Sequence, residues 1–239
     1  MTTLRMCALY PDLMNIYADR GNIAVLRARC EWRGLGFELS SSGLGEALDA
    51  DSADLFYMGG GQDRDQVAVA DDMVATKREA LHAAQERDTV ILAVCGGYQL
   101  LGSSYQLGDE SLPGVELVDL RTVREPGPRL IGNCAIESDL GGDGVIAGFE
   151  NHGGRTYLGS GEQPLGRVIH GFGNNGRDGY EGVRRGNTIG TYLHGPLLPK
   201  NIWLADRLIE LALGVELPPL ADDSLEQAAH LSARRAAGV

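Results

Sequence analysis

The chain has 239 residues and a formal charge of −12, from 21 Lys and Arg against 33 Asp and Glu. That balance excludes a chain built to grip nucleic acid, because phosphate contact needs a basic face. Hydrophobic residues at 43% and charged residues at 23% fit a globular chain with a real core. Apolar runs such as Val90 to Cys95 are strand length, far short of the roughly 20 residues that span a bilayer.

Strands and helices alternate through the first half. Leu4 to Tyr10 is predicted as a short strand. Asn22 to Arg33 carries Ile23, Leu26 and Cys30 at the spacing of one helical face, with Gly34 as its stop. Phe37 to Ser41 and Ala53 to Met58 are predicted strands, the latter running into Gly59-Gly60-Gly61. A helix follows from Asp71 to Arg87. Thr89 to Cys95 is apolar on both parities, as in a strand buried on both faces, so the pattern predicts an α/β domain around a parallel sheet. Beyond about residue 120 the strands become shorter and glycine-punctuated: Arg129 to Glu137, Gly144 to Phe149, Gly166 to Gly171 and Thr188 to Leu193. These are predicted to extend the same sheet in antiparallel fashion. A helix from Asn201 to Leu213 closes the fold. Residues 1–216 are taken as one domain. After Pro218-Pro219, the 217–239 segment has a weakly amphipathic stretch from Leu225 to Ala237, expected to be a loosely packed tail or to dock a partner. The N-terminus lacks the apolar stretch of a secretory signal, so a cytoplasmic location is expected.

The four cysteines contain no C-x-x-C pair, which argues against a zinc site and a disulfide scaffold. Cys7, Cys30 and Cys134 lie in apolar stretches and are expected in the core. Cys95 differs, since it ends a buried strand and precedes Gly96-Gly97 and a helix-compatible run. A nucleophile needs that sharp strand-to-helix turn, and the positive field of a helix N-terminus is expected to lower the thiol's pKa from ~8.5. Its base would be a histidine. His82 and His230 lie in polar stretches and are expected to be solvated, whereas His194 stands at the end of an apolar strand, where α/β sheets place catalytic groups. His152 lies in the polar, glycine-flanked run Glu150 to Arg155, where it would line the site or fix a loop. The backbone N–H groups of Gly60 or Gly61, with that of Gly96, can form an oxyanion hole. No G-x-x-x-x-G-K-[ST] phosphate loop exists in the chain.

These residues resemble the class I glutamine amidotransferases, in their cobyric-acid-synthase-like (CobB/CobQ-type) branch. The likeness rests on Cys-Gly-Gly-Tyr-Gln at 95–99 and Tyr-Leu-His-Gly-Pro at 192–196. Further stretches add to it: Asp19 to Asn22, Met58 to Asp63, Arg129 to Asn133, Phe149 to Tyr157, Gly173 to Asn175 and Gly195 to Asn201. The resemblance implies a flavodoxin-like three-layer α/β sandwich, mostly parallel with an antiparallel extension. It implies that Cys95 attacks L-glutamine, that His194 is the base, and that Arg129 holds the α-carboxylate, with Gln99 and His152 beside the substrate. A guanidinium on a rigid turn at a strand start suits that carboxylate role. No metal or other cofactor is implied for this chain.

Within that branch the likeness is to glutaminase subunits that feed ammonia to a MurT-like, ATP-using ligase acting on lipid II. A cobyrinate-type pairing and a non-catalytic subunit stay open as alternatives. Two departures stand out. Ala93 replaces a usual glycine, and Gly195-Pro196 follows His194 where many relatives carry His-x-Glu. Either Cys95 and His194 then act as a dyad, or the carboxylate that orients the imidazole comes from elsewhere, from the partner or from a residue such as Glu150.

Overall fold

In the computed structural model, which describes residues 2–15 and 19–239, the first half alternates strand and helix. The order is β1 (Thr3–Leu9), α1 (Arg20–Glu31), β2 (Gly36–Ser42), β3 (Leu55–Met58), α2 (Asp63–Thr76), α3 (Arg78–Glu86), β4 (Val90–Val94) and α4 (Gly96–Leu100). Every residue of β3 and β4 is buried, as their lack of a polar parity predicts. The single helix predicted from Asp71 to Arg87 is instead two. It starts at Asp63 and breaks at Lys77, whose buried amine donates to the carbonyls of Gly43 and Glu46 at 2.9 Å each. Satisfying that ammonium outweighs helical continuity, and Lys77 sits at φ −128°.

The second half is mostly strand: β5 (Ser104–Leu107), β6 (Glu110–Pro113), β7 (Leu120–Arg124), β8 (Leu130–Glu137), β9 (Val145–His152), β10 (Gly154–Leu158), β11 (Gly166–His170), β12 (Tyr180–Glu181), β13 (Val183–Arg185) and β14 (Thr188–Thr191). Helices α5 (Leu197–Lys200), α6 (Ile202–Leu213) and α7 (Ser224–Ala236) complete the chain.

The main sheet has the order β13-β14-β4-β3-β1-β2, parallel throughout except for the edge strand β13. Right-handed crossovers from β1 to β2 and from β3 to β4 run in opposite directions along this sheet, so α1 covers one face and α2 with α3 the other. The expected α/β sandwich is present, but its antiparallel extension differs from expectation. Only β13 extends the main sheet in that way, and β14, fully buried, lies parallel beside β4. The predicted strands at 129–137, 144–149 and 166–171 form a separate sheet of order β12-β11-β8-β9, and a third sheet holds β10-β7-β5-β6. The physical reason is that β8 and β11 each keep exposed residues, which suits antiparallel strands with one solvated side and not the covered central sheet.

Helix α7 lies against α5, α6 and β9. Arg29 of α1, 1% exposed, pairs with both Asp206 of α6 and Asp223 at the start of α7. The imidazole of His230, expected in solvent, is instead buried, with Nδ1 2.7 Å from the Lys200 carbonyl and Nε2 3.1 Å from Asp143. His82 is half-buried, with Nε2 2.7 Å from the Val115 carbonyl. Cys7, Cys30 and Cys134 are buried in the core. Among the described residues no helix is long and apolar enough to cross a membrane.

Candidate active site

Cys95 follows β4 with φ 52° and ψ −107°, in a region that glycine favours and a side-chain-bearing residue enters only at some cost. The neighbouring strand holds it there, through the bond from its N–H to the Thr191 carbonyl at 2.8 Å. The turn leaves the thiol against a cavity of about 360 Å³ lined also by Gly61, Gln66, Gln99, Tyr105, Arg129 and His152. The expected lowering of the thiol's pKa does not occur. Burial pushes it up to about 12, Asp19 adds to the rise, and the Gly96 N–H and Arg129 only partly oppose it. The field of a five-residue helix is weaker here than the loss of water.

His194 follows β14, the strand beside β4, so both residues stand at the carboxyl ends of adjacent parallel strands. The backbone of His194 makes two 3.0 Å bonds with Phe149 of β9, one in each direction, and so joins the main sheet to the β8–β9 sheet. Its ring is fully buried and meets Phe149 edge-on. Burial, then the neighbouring His152, Lys200 and Arg129, push its pKa down to about 4. At neutral pH it is an uncharged imidazole, the form a base requires.

Arg129 reaches the same cavity from the residue before β8. Asn151, which the sequence did not single out, holds it: Nε donates to Asn151 Oδ1 at 2.8 Å and Nη2 to the Asn151 carbonyl at 2.7 Å. Of the other predicted residues, His152 stacks on Tyr192 at 3.5 Å, gives Nδ1 to the Gly154 carbonyl, and sets Nε2 3.5 Å from Glu150. Gln99 lines the cavity, yet its amide accepts from Gln66 at 2.8 Å and donates to Tyr192 at 3.1 Å, so it fixes the wall. Gly61 lines the cavity too. A Cβ on Gly96 would lie 2.9 Å from the Gly61 nitrogen, so glycine at 96 keeps the space before that N–H open. The expectation for Gly60 fails. Its N–H is turned away to donate to Asp19 Oδ2 at 2.8 Å, and it is not at the cavity wall.

Oriented N–H groups, a buried thiol and a guanidinium around one cavity, with a neutral imidazole on the adjacent strand outside its wall, are the parts that acyl transfer from a carboxylate-bearing amide requires. Comparisons with known proteins agree in family. Residues 5–202 match the model of the CobB/CobQ-like glutamine amidotransferase domain. The lipid II isoglutaminyl synthase (glutamine-hydrolyzing) subunit GatD of Staphylococcus aureus (strain N315) is 40% identical over 94% of this chain and 90% of its own. The GatD subunit of Streptococcus pneumoniae (strain ATCC BAA-255 / R6) is 38% identical over 92% and 86%. Among solved structures, PurLQS from Thermotoga maritima shares the fold at a TM-score of 0.58 and 20% identity, covering 90% of this chain and 99% of that one. With its parallel sheet, its cysteine elbow and a family match across most of its length, the chain belongs to the CobB/CobQ-like glutamine amidotransferases.

Proposed function

We propose that this chain is the glutaminase subunit of a cytoplasmic two-chain synthase that amidates the D-glutamate of lipid II, its partner being a MurT-like, ATP-using ligase. What carries the acceptor assignment is the likeness to two GatD subunits over more than nine-tenths of the chain. A cobyrinate-type role has weaker support, because cobyric acid synthases match only about half of this chain, as in the 46% matched by that of Methanothermobacter thermautotrophicus.

In this mechanism Arg129 receives the α-carboxylate of glutamine and places its side-chain amide over Cys95. His194 takes the thiol proton as Sγ bonds to the amide carbon. The resulting oxyanion accepts from the Gly61 and Gly96 N–H groups, where one donor is worth roughly 2.7–4 kcal/mol of barrier. His194 then protonates the leaving nitrogen, ammonia departs, and a thioester remains on Cys95. Water, deprotonated by His194, attacks the thioester, and collapse releases glutamate with the thiol restored.

Because Gly195 and Pro196, not a glutamate, follow His194, the carboxylate that orients its imidazole is proposed to come from the ligase. Within this chain Glu150 accepts from the N–H groups of Phe172 and Gly173, and Glu181 from the Thr191 hydroxyl and the Tyr192 N–H. The tail, with Leu225 75% exposed and Leu231 47% exposed on α7, offers the partner a docking surface.

Copurification of the ligase, followed by assays of glutamate release and of lipid II amidation with and without it, tests the proposal. Glutamate release should be slow for the isolated chain and much faster in the complex, and Cys95→Ala should abolish it. An isolated chain as fast as the complex would remove the partner carboxylate, and a partner that amidates something other than lipid II would remove the acceptor.

A further inference from the structure

The run Asp19-Arg20-Gly21-Asn22 opens α1, and the mechanism above makes no use of it. An aspartate at a helix N-cap ordinarily turns its carboxylate onto the first N–H groups of its own helix. Asp19 makes no such bond. Its side chain is fully buried and turned the other way, so that Oδ2 accepts the Gly60 N–H at 2.8 Å. The Asp19 carbonyl accepts from the Tyr57 hydroxyl at 3.2 Å, on the strand that leads into the glycine turn. Three residues on, buried Asn22 donates to the same hydroxyl at 2.9 Å and accepts the Leu198 N–H at 2.8 Å, four residues past His194. Gly21 lies between them, with room for no side chain, because a Cβ there would sit 2.7 Å from Pro196 Cγ. One helix start therefore grips both the glycine turn and the loop that follows the histidine.

We propose that Asp19 is a positioning residue: by taking the Gly60 N–H it fixes the Gly59–Gly61 turn so that the next N–H, that of Gly61, faces the cavity as an oxyanion donor. This rests on the acyl-transfer reading of Cys95. Two successive N–H groups of an extended turn point to different sides, so binding one into the protein interior commits the other to the cavity. Gly61, at the cavity wall, has its nitrogen 2.9 Å from where a Gly96 Cβ would stand. The cost is a carboxylate kept from water, whose Oδ1 has no hydrogen-bond partner among the described residues. Helix capping and packing would not require that cost, whereas a fixed donor does.

The test uses the full chain with its ligase partner, and two variants, Asp19→Ala and Asp19→Asn. The probe is glutamate γ-semialdehyde, whose adduct with a thiol carries the same tetrahedral oxygen as the intermediate. Removing one oxyanion donor lowers kcat by about 10²–10³, so Asp19→Ala should lose about that much in kcat and in aldehyde affinity, with KM for glutamine changed by less than about threefold. Asp19→Asn keeps an acceptor for Gly60 and should stay within about tenfold of wild type in both. Alkylation of Cys95 by iodoacetamide, which needs no oxyanion donor, should be faster in both variants, because each removes a negative charge that raises the thiol's pKa. A merely structural Asp19 would not separate these readouts. Undiminished aldehyde affinity in Asp19→Ala overturns the proposal, as does a folded Asp19→Asn with a hundredfold loss, which also decides the matter if Asp19→Ala fails to fold. A wild-type complex that forms no adduct at Cys95 would instead overturn the acyl-transfer reading and this inference with it.

Discussion

Raising the pH should accelerate alkylation of Cys95 steadily from pH 6 to pH 10, with no plateau near neutrality. Burial holds the thiol near a pKa of about 12 and the imidazole of His194 near about 4, so neither proton moves spontaneously at neutral pH. At pH 7.5 a free thiol of pKa ~8.5 is about a tenth ionised, whereas one of pKa about 12 is ionised in roughly 3 parts in 10⁵. The rarer thiolate is intrinsically stronger by about 40-fold, taking a Brønsted slope of ~0.45, so the net rate should fall about a hundredfold below that of a free cysteine. Timed iodoacetamide labelling of the isolated chain, quenched and read by mass spectrometry at the Cys95 peptide, supplies the profile, and the same peptide in unfolded chain supplies the reference. Unit slope in log rate against pH is the expected result. A plateau between pH 6 and 8 would reveal a pre-formed thiolate–imidazolium pair and refute the reasoning from burial. With unit slope, ionisation of the thiol belongs to the step of attack, where the proposed mechanism passes the proton to His194 and the charge to backbone N–H groups.

Arg129→Ala should raise KM for glutamine and lower kcat/KM by about 10- to 100-fold, since a bond to a charged group contributes roughly 1.5–3 kcal/mol. Lys at that position should restore only part of it, because a point charge lacks the two-pronged fit, and steady-state kinetics showing wild-type affinity in both variants would make Arg129 an ordinary surface residue. Arg29→Met should destabilise the fold by about 3–5 kcal/mol in urea titrations, because it takes the cation from Asp223 and leaves Asp206 with Arg33 alone. Limited proteolysis should then cut first near α7, and an unchanged urea midpoint would show that this buried network adds nothing.

The sequence disclosed most where chemistry and local pattern coincide. Strands β3 and β4 declare themselves by apolar residues on both parities, and the cysteine followed by two glycines marks the elbow. His194 was legible as the end of an apolar strand. What could not be read depends on residues distant in the chain. Asp19 looks like a helix cap until its partner, 41 residues on, is known. The break at Lys77 is set by carbonyls 34 and 31 residues earlier. Strands β5, β6 and β7 mix polar and apolar residues too briefly to show a period, and the division into three sheets is decided by long-range pairing. The thiol's environment escapes the sequence for a related reason: a turn motif announces a helix N-terminus, but the extent of burial comes from strands and loops elsewhere.

The weld between His194 and Phe149 also turns the cavity into a ruler. Cys95 rides on the parallel sheet, while Arg129, tied to Asn151, rides on the β8–β9 sheet, and the two sheets meet through a pair of 3.0 Å backbone bonds. In the proposed mechanism this framework sets the span between thiol and guanidinium. An amino acid anchored by its α-carboxylate must have a side chain of one particular length to present its amide to the sulfur. Asparagine, shorter by one methylene, would leave its amide more than an ångström short, and a misplacement of about 1 Å is enough to cost ~10²-fold in rate. On that mechanism, selection of glutamine over its shorter homologue needs no group that recognises the missing carbon; the join between the sheets supplies it.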